Sequence, residues 1–155
     1  TLVRPGLQNQ KDSHRTAVMA YSRDRSQSGI YSDIMTEIYS YLTEEREKEL
    51  FDKTHQIIMD RKLFLDPKFS RETYLKLVGL NKNQVAKLLQ KYAGTNLIRY
   101  INGMRLDYSL KLMEMHPEYP IKAISADSGF NNTRTFYRLF SARFGIAPSE
   151  YKRKS

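Results

Sequence analysis

Two short runs of side chains carry hydrogen-bonding groups suited to reading a patterned polar edge. Asn83, Gln84 and Lys87 form the first, and Thr133, Arg134 and Arg138 form the second. A guanidinium donates two parallel bonds to guanine in a major groove, and a carboxamide pairs in the same way with adenine. In each run two members stand four residues apart (Asn83 with Lys87, Arg134 with Arg138), so a helix would present them on one face. The flanking residues Asn81, Lys82, Asn131, Asn132 and Thr135, with Lys152 further on, are of the types that hold phosphate oxygens. This chemistry needs both runs at the starts of helices and a stiff connection between them.

The glycines, prolines and asparagines mark where those helices begin and end. Ser70 caps a short helix that closes at Val78-Gly79, and Asn81 caps a second one over 81–93, which closes at Gly94. Thr95 or Asn96 opens a long helix through Leu97, Ile101, Leu106 and Leu112, ending near His116-Pro117. Pro120 opens a short helix from Ile121 to Ser128, and Gly129 closes it. Asn131 or Asn132 caps the next helix, over 132–144, and Pro148 suits the first turn of a last short helix, 148–153. Twice, then, a short helix ends in glycine and a tight turn leads into a longer helix with asparagine at its start. That is the layout of a helix-turn-helix, whose second helix lies in the major groove of a duplex. The connecting helix of about 20 residues spans roughly 30 Å. Successive major-groove faces lie about 34 Å apart. The expected fold is all-α, with two helix-turn-helix units joined by a long connecting helix and preceded by an additional N-terminal helical segment.

Charge is distributed to match. The 155 residues carry a net charge of +9. Residues 67–155 hold sixteen basic and six acidic side chains, whereas residues 31–66 hold five basic and nine acidic ones. A basic excess confined to one segment points to a dedicated polyanion-binding domain rather than to general solubility. The aromatic residues Phe130, Phe136, Phe140, Phe144 and Tyr151 recur at helical spacings and read as core, which argues against stacking on unpaired bases.

Other chemistries are excluded or unsupported. The chain has no cysteine, so disulfides, thiolate nucleophiles and cysteine-based zinc sites are ruled out. The histidines His14, His55 and His116 lack ligand-like spacing, and no Gly-rich phosphate loop or catalytic constellation stands out. We expect no enzyme activity, no metal, no cofactor and no membrane-spanning segment.

The stretch from Leu63 to Ser155 resembles the DNA-binding domain of the arabinose-regulator (AraC/XylS) family. The resemblance rests on Ile121, on Gly129-Phe130, on the Phe136-x-Arg138-x-Phe140 spacing, and on Gly145 to Pro148 followed by Tyr151-Lys152. Gly94 to Leu106, with Arg105-Leu106, is similar to the family's connecting helix. The resemblance implies a cytoplasmic transcription regulator, by its family an activator, that binds double-stranded DNA with helices 81–93 and 132–144 in adjacent major grooves. It further implies a sensor or effector domain elsewhere in the same longer protein, and RNA polymerase as a candidate partner. Three positions depart from the family pattern. Leu75 replaces a small residue, which implies a looser or shifted helix crossing in the first unit. Ala86 replaces a longer polar residue and so removes one base contact, and Ser125 stands at an alanine position.

Residues 1–30 are polar and aperiodic and read as a linker or flexible tail. Residues 31–62 read as a helical linker, with Ser32 or Asp33 capping its start and Thr43-Glu44-Glu45 offering a second start. That segment is a candidate homodimer or signalling element. The competing reading is a helical protein-interaction module with lost or weak DNA binding. For Arg105, inside the connecting helix, the sequence favours a salt bridge, with Asp107 and Asp127 as available counter-charges.

Overall fold

The computed structural model describes residues 28–155, and the tail expected over 1–30 lies almost entirely outside them. Helix α1 runs from Ser28 to Asp60. Residues 28–30 are therefore helical rather than tail, and no break occurs at Thr43. The reason is local. The Thr43 hydroxyl donates to the Tyr39 carbonyl at 2.8 Å, a bond made within a continuing helix rather than at an N-cap. Lys48 pairs with Asp52 and Gln56 with Asp60 at the same four-residue spacing. The described residues divide into two units, with the boundary between Glu47 and Lys48.

In the second unit the chain leaves α1 through Lys62, the one non-glycine residue with positive φ among the described residues (φ 51°, ψ 40°). A single 3-10 turn, Leu63–Leu65, follows, with Phe64 buried. Five α-helices then complete the expected pattern before a final one. These are α2 (Arg71–Val78), α3 (Lys82–Ala93), α4 (Leu97–Met115), α5 (Ile121–Asp127), α6 (Thr133–Phe144) and finally α7 (Pro148–Lys154). The described residues form no strand, as an all-α fold requires.

Capping explains where these helices start. Asn81 and Gln84 form a reciprocal box: the Asn81 carboxamide oxygen accepts the Gln84 N–H at 2.9 Å, and the Gln84 oxygen accepts the Asn81 N–H at 3.0 Å. Asn96 accepts the Arg99 N–H at 3.0 Å. Of the two candidates Asn131 and Asn132, it is Asn132 that caps α6, accepting the Arg134 and Thr135 N–H groups. Pro148 occupies the first turn of α7, where its missing N–H costs nothing.

Two apolar cores share α4. Its first part, through Leu97, Ile101 and Met104, joins a core that also takes in Ile58, Tyr74, Val85 and Leu89. Its second part, through Leu106, Leu112 and Met113, joins Ile124, Phe130, Phe136 and Phe140. Phe144 and Tyr151 pack half-buried on that second core. Leu75, the departure in the first unit, is half-buried against the first core.

Arg105 sits between the two cores and is only 9% exposed. The expected salt bridge to Asp107 or Asp127 does not form. Its Nε donates to the Phe64 carbonyl at 2.6 Å, one Nη to the carbonyls of Asp66 and Phe69 at 3.0 and 3.5 Å, and the other to the Asn102 side chain at 3.3 Å. A guanidinium carries five donors and so can satisfy several carbonyls of one irregular segment at once. Burial pulls its pKa down, and the nearby Asp66 carboxylate opposes that shift. Asp107 instead pairs with Arg143 at 2.7 Å, and Arg143 also donates to the Gly103 carbonyl at 2.9 Å.

Candidate nucleic-acid interface

The interface is built from two helix N-termini. Gly79 and Gly129 hold positive φ, 71° and 95°, at the turns that lead into α3 and α6. In these conformations an L side chain is strained, so glycine is the residue that lets each short helix turn sharply into the longer one. At Gly129 space is limiting as well. A Cβ there would stand 2.6 Å from the Phe64 carbonyl oxygen and 2.9 Å from the Arg105 Nε. The second turn is thus seated directly on the buried arginine and the entry segment.

On α3, Val85, Leu88 and Leu89 are buried, while Lys82, Asn83, Gln84 and Lys87 are exposed. On α6, Phe136 and Phe140 are buried, Arg134 and Arg138 are exposed, and Thr133 and Thr135 are half-buried. Each helix therefore gives its apolar stripe to a core and turns its polar run to solvent. Lys87, Arg134 and Arg138 have no hydrogen-bond or ion-pair partner among the described residues, and Lys82 lies near enough to Glu72 to help lower its pKa. Ala86 is exposed between Asn83 and Lys87 and offers no polar atom of its own.

Several of the sequence-selected residues have structural duties. Asn81, Gln84 and Asn132 spend their carboxamide oxygens on helix capping. This leaves their N–H₂ groups as the remaining side-chain donors. Asn131 is exposed and caps nothing. Lys152 donates to the Tyr119 carbonyl, fastening α7 to the loop that precedes α5, so its ammonium is already partly employed. Among the described residues no group of three or more acidic or histidine side chains could hold a metal ion. No described helix is long and apolar enough to cross a membrane.

A wide groove of about 1130 Å³ runs between α4 and α6. His55, Ile98, Arg99 and Asn102 line one side, and Thr135, Arg138 and Leu139 line the other. Arg99 carries no signal in the sequence beyond its place in the connecting helix, and only the groove brings it beside α6.

Two helix-turn-helix units on one rod, each with a polar, cation-bearing second helix, define the class of this domain: a double helix-turn-helix. A family model described as "Helix-turn-helix domain" matches residues 74–154, and the chain belongs to that family, the AraC-type helix-turn-helix domains. Over 79 residues it is 28% identical to the "Uncharacterized transcriptional regulatory protein YesN" of Bacillus subtilis, a match that covers 50% of this chain and 22% of that protein. Over 58 residues it is 38% identical to the "TCP pilus virulence regulatory protein" of Vibrio cholerae, covering 37% of this chain and 21% of the relative. The chain thus spans only about a fifth of these curated relatives. Among solved structures, the C-terminal domain of AraT, a response regulator from Geobacillus stearothermophilus, superposes with a TM-score of 0.61 at 19% identity. That match covers 68% of this chain and 85% of that one, and it supports the fold.

Proposed function

We propose that residues 63–155 form the sequence-reading head of a transcription regulator, binding double-stranded DNA with α3 and α6 in successive major grooves. The observation that carries this reading is the pairing of exposed, partnerless cations at the starts of two helices that share one rod. Lys87 on α3 and Arg138 on α6 each stand beyond an asparagine cap on a solvent-facing side. A rod of 19 residues spans about 28 Å at 1.5 Å per residue, which suits grooves about 34 Å apart once the flanking turns are added. Asn83, Gln84, Lys87, Thr133, Arg134 and Arg138 would contact base edges. Asn81, Lys82, Asn131, Asn132, Thr135 and Lys152 would contact phosphates, with Lys152 contributing least because of its carbonyl partner.

The same reading takes the chain as part of a longer cytoplasmic activator. A sensor or effector domain would precede or follow it, the segment 31–62 would serve as signalling linker or dimer contact, and RNA polymerase would be a partner.

Selection of bound duplexes from a random pool tests the reading. It should return a non-palindromic site of about two helical turns with informative positions in two blocks. Replacing Arg134 and Arg138 together by Ala should erase the block read by α6 and bring affinity for the selected site close to that for random duplex. If the pool yields no enriched duplex while the protein self-associates, the interaction-module reading replaces this one.

A further inference from the structure

The groove between α4 and α6 holds three guanidinium groups, and their environments differ. Arg143 is committed: it donates to the Gly103 carbonyl and pairs with Asp107, the one carboxylate lining the groove. Arg138 belongs to the recognition face of α6. Arg99 is exposed in the first turn of α4, and its guanidinium has no hydrogen-bond or ion-pair partner among the described residues. Only its backbone N–H is engaged, by the Asn96 cap. The groove's single acidic group is thus neutralised internally, and two unpaired cations remain on one concave surface. Such a surface attracts an anion with charge on both sides of the concavity.

The geometry points to Arg99 as a DNA-backbone contact made by the connecting helix, lining the same groove as Arg138, whose side chain reaches on to the base edges beside that phosphodiester strand. This rests on the reading of α3 and α6 as groove-entering helices. Two readers in successive major grooves must straddle the sugar-phosphate backbone that separates those grooves. The part of the protein between the two readers is the rod joining them, whose residues Arg99 and Asn102 line the groove. Thr135 and Asn102 line the same concavity and supply uncharged donors beside the two cations. A phosphate contact carries no sequence information of its own. Arg99 should therefore add affinity uniformly, whereas Arg138 contributes to discrimination.

The test compares Arg99→Gln, Arg99→Lys and the native chain on the selected duplex and on random duplex across a salt series. Arg99→Gln should weaken both complexes by about the same factor, on the order of tenfold at low salt. It should flatten the slope of log affinity against log salt by about 1. Arg99→Lys should restore the slope, because a phosphate needs charge rather than a planar fork. Equal thermal stability of the three proteins, as expected for an exposed side chain, ties these changes to the interface. An unchanged slope in Arg99→Gln, with native discrimination intact, overturns the proposal and leaves the major-groove reading standing. Loss of discrimination in Arg99→Gln also overturns it, by making Arg99 a base reader. Absence of salt-dependent duplex binding by the native chain would overturn both.

Discussion

The two helix-turn-helix units share one plan but differ in how they are secured. In the first, the turn glycine Gly79 has open space around the position of a Cβ. It is needed only for its backbone conformation. In the second, Gly129 is pressed against the Phe64 carbonyl and the Arg105 side chain. Other long-range ties hold the second unit as well, from Arg143 to Gly103 and Asp107 and from Lys152 to Tyr119. In the first unit the helix-turn-helix itself is closed by local bonds, above all the Asn81–Gln84 box, and the long-range bond from His55 to Tyr100 lies outside the motif. The same motif can thus be closed by nearby capping in one copy and by distant parts of the chain in the other. Sensitivity to substitution should follow that division rather than the motif.

The largest effect should separate the two glycines. Gly129→Ala combines positive φ with a clash against backbone and should cost about 3–5 kcal/mol, whereas Gly79→Ala meets only the backbone penalty of about 1–2 kcal/mol. Urea unfolding of both variants measures the difference. Equal losses would mean that the second turn is no more constrained than the first.

Next comes Arg105→Met, which keeps the length of the side chain and removes its donors. It leaves the Phe64 and Asp66 carbonyls without their partner and should cost about 2–4 kcal/mol by the same unfolding measurement. It should also loosen the second unit more than the first. Amide exchange should rise more in α5 and α6 than in α3, and the reverse ranking would contradict the division drawn above.

The smallest effects have the opposite sign. Among the described residues the hydroxyls of Tyr74 in the first unit and of Ser125 and Ser128 in the second are buried without a hydrogen-bond partner. Removing an unsatisfied buried hydroxyl relieves its desolvation penalty, so Ser125→Ala and Tyr74→Phe should each stabilise by about 1 kcal/mol. The tyrosine has an additional signature in pH. Burial pushes its hydroxyl up from 10 to about 12. The unfolded chain therefore loses that proton first, so the Tyr74 contribution to stability is complete below pH 10 and is lost as pH rises from 10 towards 12. Tyr74→Phe should reduce that alkaline decline, and Ser125→Ala should leave it unchanged. A decline of the same size in all three proteins would assign it to other groups.

Much of this architecture was legible in the order of residues. Glycine at 79, 94 and 145 and asparagine at 81 and 96 fixed the limits of α2, α3, α4 and α6 through backbone conformation and capping, which are local properties. The polar runs of α3 and α6 were legible because core burial repeats every three to four residues and leaves the remaining face to solvent. Other features were not accessible in this way. Thr43-Glu44-Glu45 has the composition of a helix start, but a threonine hydroxyl bonds equally well to the carbonyl four residues before it, and only the continuing backbone decides. The carbonyl partners of Arg105 lie 36 to 41 residues away in sequence, whereas Asp107 is its near neighbour along the chain and makes no bond with it. Gln84 has the chemistry of a base reader, although the same carboxamide oxygen closes the cap of its own helix. The role argued for Arg99 depends on a groove formed with α6, and adjacency between helices leaves no mark in spacing.

The sharing of α4 between two cores has a consequence for how such a molecule can change over generations. One residue inserted into the middle of that rod would advance the distal half by 1.5 Å and turn it by about 100°. The second unit would swing round to another side instead of shifting slightly outward. Intermediate separations between the two units are therefore closed to gradual drift. Side chains on the readers can be exchanged one at a time, but the pitch between them is inherited whole.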